Sequence, residues 1–234
     1  MGLDEALQAC FGDRSSLIHC MSIENVVQPV LKAAGLACRR GNELLFHGLT
    51  FAIHTGQLIW LRGHNGSGKT SLLRILVGLT APHEGRIERY SLFDKALRVV
   101  YLGHTNSLNE QLTVFEALQF VAKLQGGLND AISVDAALKA VSMEHRRDVQ
   151  IRALSQGQRR RVALARLLLE HEPSLWVLDE PFDALDQAGV QVVYSLIQQH
   201  RSRGGAVLLT SHLTLDAKQA QADILDLEQM VSHA

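Results

Sequence analysis

The sequence predicts an α/β fold, an open sheet with a helical insertion, from three observations. A glycine-rich loop at residues 63–68 separates an apolar strand from a helix. Two short apolar runs late in the chain, Leu175–Leu178 and Ala206–Leu209, have the pattern of parallel strands buried on both faces. Between these parts, residues 112–170 carry apolar side chains at helical spacing, which indicates helices inserted between strands.

The chain before the loop divides at about residue 30. Residues 1–30 hold short apolar clusters without a sustained period, so we expect an N-terminal extension there and one domain over residues 31–234. Alternating or mostly apolar runs then predict three strands, at residues 36–40, 44–53 and 57–61. Thr55–Gly56 supplies the turn between the last two.

The chain after the loop predicts two further helices and a strand outside the helical segment. The first helix covers residues 68–79, since its leucines lie on one face, and Pro82 ends it. Residues 98–102 form a strand before the helical segment. A long amphipathic helix at about 186–203 lies between the two late strands and is closed by Gly204–Gly205.

Composition and charge exclude several classes of protein. Of the 234 residues, 47% are hydrophobic and 20% charged, with a formal net charge of −1. This balance lacks the basic excess of a nucleic-acid-binding protein, so we expect no nucleic-acid partner. The three cysteines, Cys10, Cys20 and Cys38, are odd in number and lack metal-ligand spacing, which favours a reduced, cytosolic chain. No apolar run reaches the roughly 18 residues of a membrane span, and we expect no secretory signal.

The strongest local signal is a phosphate-binding loop. Its residues fit the P-loop pattern in the required strand–loop–helix context: Gly63, His64, Asn65, Gly66, Ser67, Gly68, Lys69 and Thr70. Glycines let backbone N–H groups turn toward a polyphosphate, and the helix N-terminus favours negative charge. We expect Lys69 to bind the β- and γ-phosphates, Thr70 to bind Mg²⁺ and Ser71 to add a phosphate hydrogen bond. The alternative, a glycine-rich turn that binds nothing, is disfavoured by this context.

Two acids end the apolar strand Leu175–Leu178. At the carboxyl end of a parallel strand, Asp179 would face the same crevice as the P-loop and hold Mg²⁺ through water. Glu180 is placed to polarise the attacking water as a general base. Such acids also occur at plain strand-to-loop junctions, so the prediction depends on their combination with the P-loop.

Further motifs narrow the class. Leu154–Gln158 reads Leu-Ser-Gln-Gly-Gln and precedes a basic helical stretch, Asp183–Asp186 follows the two acids, and His212 follows the last predicted strand. In this order and spacing the sequence resembles the nucleotide-binding subunits of ABC transporters over about residues 34–228. Gln156 replaces the first glycine of their Leu-Ser-Gly-Gly-Gln signature.

The resemblance implies a P-loop NTPase of the ABC type, with a RecA-like core sheet, an antiparallel β subdomain and a helical subdomain at about residues 104–170. It implies that ATP and Mg²⁺ are the cofactors and that two copies stack head to tail as a nucleotide-sandwich dimer. Each ATP would then lie between one P-loop and the partner's signature, with Ser155, Gly157 and Gln158 facing the γ-phosphate. His212 would contact the γ-phosphate and orient water. The arginines at 159–161 are interpreted as a solvated helix face.

Two departures from the family pattern affect the nucleotide site. The aromatic residue that commonly stacks on adenine is missing from Ala37–Gly41, where Arg40 could stack through its guanidinium plane instead. His104 occupies the position of the glutamine at the junction to the helical subdomain. We expect His104 to contribute to catalysis and to bind a metal-bound water.

Within the family, the details most resemble the ATP-binding subunit of the cytochrome c maturation system, the haem-exporter type. Gly103–His104 replaces the usual proline–glutamine, and the other runs that carry the resemblance are residues 36–41, 44–51, 66–76, 158–167 and 204–207. The resemblance implies separate integral membrane permease subunits, indirect action on a haem chaperone, and a peripheral location on the cytoplasmic face of the bacterial inner membrane. Two interpretations stay open: the ATPase of another small-molecule ABC transporter, and a soluble ABC-class protein acting on nucleic acid or as a non-catalytic module.

Overall fold

The computed structural model describes residues 29–124, 130–170, 172–213 and 221–228. The predicted N-terminal extension lies outside the described residues except for Pro29 and Val30, which begin the first strand, where Val30 is 1% exposed. The described residues cluster into two compact units. The sheet unit holds residues 29–104, 173–181 and 197–228, and the helical unit holds 105–172 and 182–196, within the described ranges.

The sheet unit contains two sheets, and together they confirm the predicted α/β class. The first is antiparallel with the order β2-β1-β4, formed by β1 (Pro29–Arg40), β2 (Glu43–His54) and β4 (Glu84–Arg89). The second is parallel with the order β5-β6-β7-β3-β8. Its strands are β3 (Leu58–Arg62), β5 (Val99–Leu102), β6 (Leu175–Leu178), β7 (Ala206–Thr210) and β8 (Asp223–Asp226). All five carboxyl ends therefore meet at one edge, where ligands of parallel sheets bind.

Helix α1 (Lys69–Val77) packs its apolar face into the core of the sheet unit. Leu72, Leu73, Ile75 and Leu76 are each at most 1% exposed. The helix ends two residues earlier than predicted, because Gly78 adopts a left-handed conformation at φ 84° and its N–H group bonds back into the last turn. Gly78, rather than Pro82, therefore terminates the helix.

The helical unit contains three α-helices among its described residues and part of a fourth. These are α2 (Val114–Leu124), α3 (Asp130–Ala140) and α4 (Gln156–Ala165), with the start of α5 (Gln187–Ser202). Its buried side chains include Val114, Leu118, Leu138 and Val162. No helix among the described residues is both long and apolar enough to cross a membrane.

Candidate nucleotide-binding site

The loop after β3 contains three glycines in backbone conformations that other residues rarely adopt. Gly63, Gly66 and Gly68 have φ angles of 149°, 91° and 97°. A Cβ atom on Gly63 would lie 2.5 Å from the hydroxyl oxygen of Ser67, and one on Gly68 would lie 3.1 Å from the ring of Phe46. A loop that carries no side chains at these three positions leaves room for a polyphosphate to approach its backbone N–H groups.

Lys69 lies at the first turn of α1 and folds back across the loop. Its ammonium nitrogen donates to the carbonyl oxygens of Gly63 at 2.7 Å and His64 at 3.0 Å. The cation is thus held at the mouth of the loop by two weak, neutral acceptors. A phosphate is a stronger acceptor for an ammonium group, and binding one would draw Lys69 away from these carbonyls.

The two acids after β6 are fixed by a single hydroxyl on the neighbouring strand. Thr210 is fully buried, donates from its Oγ1 to Asp179 Oδ1 at 2.9 Å and accepts from the backbone N–H of Glu180 at 3.0 Å. Asp179 is 3% exposed and Glu180 is 7% exposed. Glu180 has a φ of 51°, a left-handed conformation that costs energy for a side chain other than glycine and that clusters at functional sites.

His212 completes this cluster from the end of β7. Its backbone N–H donates to Glu180 Oε2 at 2.8 Å, and its Nε2 lies 3.6 Å from Glu180 Oε1. The histidine side chain is 61% exposed and the Glu180 side chain is 9% exposed. The imidazole therefore shields the carboxylate from solvent, while the imidazole itself remains largely exposed.

Most of the predicted site residues line one open cavity of about 260 Å³ in the sheet unit. Its lining includes Asn65, Gly66, Gly68, Lys69, Thr70, Ser71, His104, Asp179, Glu180 and His212. Arg40 and Leu45 complete it, and the described lining residues include no phenylalanine, tyrosine or tryptophan. The Ser67 hydroxyl, buried beneath the loop, has no hydrogen-bond partner among the described residues. A glycine cradle, a cation, a hydroxyl and two carboxylates around one cavity fit a Mg²⁺–nucleotide.

His64 is turned away from this cavity toward the end of β8. Its ring Nδ1 lies 2.8 Å from Glu228 Oε1, and its backbone N–H donates to the same oxygen at 2.6 Å. The backbone N–H of His64 and then its ring hold the pKa of Glu228 below its ordinary value. Nothing in the sequence pattern indicated Glu228.

The signature residues lie in the helical unit, at the start of α4. Ser155 caps the helix: its hydroxyl accepts from the backbone N–H of Gln158 at 3.3 Å, and its own N–H donates to the Gln158 side chain at 3.0 Å. A Cβ atom on Gly157 would lie 2.6 Å from the carbonyl oxygen of Ala184. Gln156, by contrast, is exposed. The family's first signature glycine can therefore be replaced here, whereas the second is required by close backbone approach.

The interpretation of residues 159–161 as a solvated helix face is wrong. Arg160 is only 3% exposed and donates to the side chain of Asn106. Arg159 donates to two backbone carbonyls and to Glu110, and Arg161 pairs with Asp186. Each guanidinium group satisfies carbonyls or acids of its own unit, a use for which its fork of donors is suited.

Sequence reasoning also missed Thr210, which lies two residues before His212. It missed Tyr101 as well. Burial raises the pKa of Tyr101, and the nearby Asp179 carboxylate raises it further, while Arg74 opposes the shift. A hydroxyl at the last position of a buried strand next to an acid-ending strand is the signal that could have found Thr210.

Comparison with known proteins agrees with this geometry. A family model described as ABC transporter matches residues 46–183. A Methylococcus capsulatus protein named cytochrome c biogenesis ATP-binding export protein CcmA is 44% identical over 197 residues, covering 80% of this chain and 93% of that one. A protein of the same name from Aromatoleum aromaticum is 44% identical over 214 residues, covering 87% and 98%.

Solved structures share the fold. One described as the ATP-binding subunit of an ABC transporter superposes with a TM-score of 0.73 at 25% identity, covering 84% of this chain and 85% of that one. An ATP-binding cassette of an ABC transporter in its ADP conformation superposes with a TM-score of 0.65 at 20% identity, covering 85% and 87%. The chain therefore belongs to the ABC transporter family of ATP-binding proteins, in the group whose members are named CcmA.

Proposed function

We propose that this chain is the ATP-hydrolysing subunit of an ABC complex in cytochrome c biogenesis. The observation that carries the proposal is that Lys69, Asp179, Glu180 and His212, which come from separate segments of the chain, line one cavity. The names of the similar proteins, cytochrome c biogenesis ATP-binding export proteins, support the biological assignment.

ATP binding follows from the loop and its cation. The backbone N–H groups of Gly66–Ser71 cradle the phosphates, and Lys69 exchanges the carbonyls of Gly63 and His64 for the β- and γ-phosphates. Arg40 and Leu45 line the remainder of the cavity, where the base would lie without an aromatic platform. Arg40 can stack on a base through its guanidinium plane.

Mg²⁺ is expected at the acid end of the same cavity. The Thr70 hydroxyl would hold it directly and Asp179 through water, with His104 as a further hydrogen-bond partner of a bound water. The ion supplies neutralisation of the phosphate charge. Thr210 keeps Asp179 in place by donating to one of its carboxylate oxygens.

Glu180 is proposed as the general base for the attacking water. Its carboxylate is mostly buried, and the His212 backbone holds one of its oxygens. The proton leaves water for this carboxylate as the water oxygen attacks the γ-phosphorus, and the bond from the γ-phosphorus to the β,γ-bridging oxygen breaks, so that ADP leaves with that oxygen and inorganic phosphate is formed. The exposed His212 ring can then hydrogen-bond to the γ-phosphate.

The signature supports a second copy of the chain as the partner. Ser155 accepts one hydrogen bond within its capping box, which leaves its O–H proton to be donated to a γ-phosphate. Gly157 and Gln158 present the start of α4, where the helix dipole favours a negative charge. We propose that these residues close the partner's site in a nucleotide-sandwich dimer.

The partners expected for this chain are membrane proteins. Integral permease subunits of a cytochrome c maturation complex would hold this chain at the cytoplasmic face of the inner membrane, and hydrolysis would drive haem export or release of a haem-loaded chaperone. The proteins named CcmA favour this complex over another small-molecule transporter. The cavity's complete set of acids and cation argues against a non-catalytic module.

Co-purification tests both parts of the proposal. Tagged Glu180→Gln protein is isolated from detergent-solubilised native membranes with ATP, and its partners are identified by mass spectrometry. Recovery of cytochrome c maturation subunits supports the assignment, and recovery of a different permease refutes it.

Mg²⁺-dependent ATPase activity of the purified wild-type complex should fall by about 10²- to 10⁴-fold in Glu180→Gln, as expected when a general base is removed. Unchanged hydrolysis would refute the role of Glu180.

A further inference from the structure

The carbonyl oxygen and the N–H group of the peptide between Gly63 and His64 are both hydrogen-bonded to side chains. Its carbonyl oxygen accepts from the Lys69 ammonium at 2.7 Å, and its N–H donates to Glu228 Oε1 at 2.6 Å. One rigid peptide plane therefore connects the phosphate-binding cation to a carboxylate 164 residues away in sequence from His64.

The topology explains why Glu228 reaches this peptide. Strand β8 pairs in parallel with β3, and Asp226 lies opposite Arg62, the last residue of β3 before the loop. The chain that leaves β8 therefore passes beside the chain that enters the loop. Leu227 is 1% exposed, and its Cβ lies 3.6 Å from where a side chain on Gly63 would begin.

Glu228 is itself held in position. Its backbone N–H donates to Asp226 Oδ1 at 3.0 Å, and the His64 ring lies 2.8 Å from the same carboxylate oxygen that holds the peptide. The Lys69 charge also contributes to lowering the pKa of Glu228, after the two His64 hydrogen bonds. The carboxylate is thus ionised at neutral pH and sits close to the phosphate-binding cation.

We propose that Glu228 is a positioning residue for the P-loop, which fixes the Gly63–His64 peptide and through it the resting place of Lys69. When Lys69 moves to a phosphate, the carbonyl of Gly63 loses its partner. The bond from Glu228 then keeps the peptide from rotating, so that the loop retains its shape. This inference rests on the proposed nucleotide binding and adds a residue from outside the P-loop to it.

The test is nucleotide affinity of the purified full-length chain. The dissociation constant of the β,γ-imido analogue of ATP with Mg²⁺ is measured by calorimetry, and thermal unfolding is recorded for each variant. Glu228→Ala should weaken binding roughly fivefold, the ratio that corresponds to one ordinary hydrogen bond. Glu228→Gln should bind within about twofold of wild type, because its amide oxygen still accepts from the His64 N–H group.

A matched variant separates positioning from general stability. Asp223→Ala removes another acceptor on β8, one that bonds Gln57 and not the P-loop, so it should leave the affinity unchanged. Wild-type affinity in Glu228→Ala, or equal loss in Glu228→Gln and Glu228→Ala, would overturn the proposal. If the wild-type chain itself does not bind the analogue, the proposed function fails instead.

Discussion

One buried hydroxyl sets the geometry of both acids in the candidate site. Thr210 donates to Asp179 and accepts from the Glu180 backbone, so its hydroxyl bonds both of the adjacent residues that follow β6. The Glu180 N–H bond also helps to hold that residue at its strained φ of 51°. Strain at the proposed general base is therefore stabilised by a residue to which the proposal gives no contact with the substrate.

Replacing Thr210 with valine should damage both stability and turnover. The substitution keeps the shape but removes the hydroxyl, so two buried polar groups lose a bond. We expect a loss of about 1–3 kcal/mol in the free energy of unfolding and a clear fall in ATPase activity. Denaturant unfolding and a phosphate-release assay measure the two effects. Thr210→Ser retains the hydroxyl and should recover most of both, and a Thr210→Val protein with normal activity would contradict the role.

At the scale of residues, spacing predicted the P-loop and the two acids but not Thr210 and Glu228, the residues that hydrogen-bond to them. Lys69 was proposed from its offset in the P-loop pattern and Asp179 from its place at the end of an apolar strand, whereas His212 was proposed through the resemblance to the ABC family. Thr210 and Glu228 act on groups 30 and 164 residues away, so their roles depend on which strands are neighbours. Strand order is a tertiary property that local patterns do not carry.

At the scale of elements, the start of α4 explains a departure of the signature from its family. Gly157 approaches the Ala184 carbonyl too closely for a side chain, and Ala184 itself has a φ of 60°. Gln156 faces solvent one residue earlier. The two positions therefore differ in what they tolerate, although the family has glycine at both.

The variant Gly157→Ala tests this difference. Its new methyl group would overlap the Ala184 carbonyl, so the signature or the segment after Glu180 must shift. We expect destabilisation of about 1–3 kcal/mol, the usual cost of overpacking, together with reduced ATP hydrolysis. Gln156→Ala is the matched control and should be close to wild type in both thermal unfolding and ATPase assays. Equal behaviour of the two variants would show that the close approach has no consequence.

The contact between β6 and α5 depends on a neutral histidine. His200 is 3% exposed, stacks on Trp176 with ring centroids 3.8 Å apart, and its Nε2 lies 2.8 Å from the Ser174 carbonyl oxygen. Burial lowers the pKa of His200 from 6.5 to about 4, and the hydrogen bond to Ser174 opposes this only in part. Protonation would place an uncompensated charge in the core.

Acid should therefore destabilise the protein through His200. Between pH 6.5 and 4 the unfolded chain binds this proton and the folded chain does not, so stability falls as the pH falls. The contribution of this residue is about 2 kcal/mol lost at pH 5. Urea unfolding of wild type and His200→Gln between pH 7 and 5 measures it, since glutamine cannot titrate. Parallel pH dependence in the two proteins would contradict this account.

Strands with apolar runs were predicted, and two charged edge strands were not. Strands β5, β6 and β7 follow apolar runs in the sequence and were placed within a residue of their observed bounds. Strand β4 reads Glu-Gly-Arg-Ile-Glu-Arg and β8 reads Asp-Ile-Leu-Asp, and both lie at the edge of their sheets. Charged side chains on a solvated edge hide the strand pattern, and they also discourage pairing with other chains.

At the scale of the whole molecule, the proposed nucleotide sandwich draws residues from both units. The sheet unit supplies the P-loop, the acids and His212, and the helical unit supplies Ser155 at a capped helix start. In the proposed symmetric pair, each chain gives its P-loop to one site and its signature to the other. Two nucleotides would hold such a pair together.

The proposed sandwich predicts that dimerisation requires ATP, the P-loop of one chain and the signature of the other. Glu180→Gln should bind ATP without hydrolysing it, so the γ-phosphate stays between the chains and the mass measured by light scattering should double with ATP. ADP should leave the protein monomeric, because no γ-phosphate reaches Ser155.

Adding Ser155→Ala to Glu180→Gln should abolish the dimer while ATP still binds the monomer, because the P-loop of each chain is intact. Adding Lys69→Ala should abolish both. An ATP-independent dimer, or one that persists in the Ser155→Ala double variant, would show that the chains associate through some other surface.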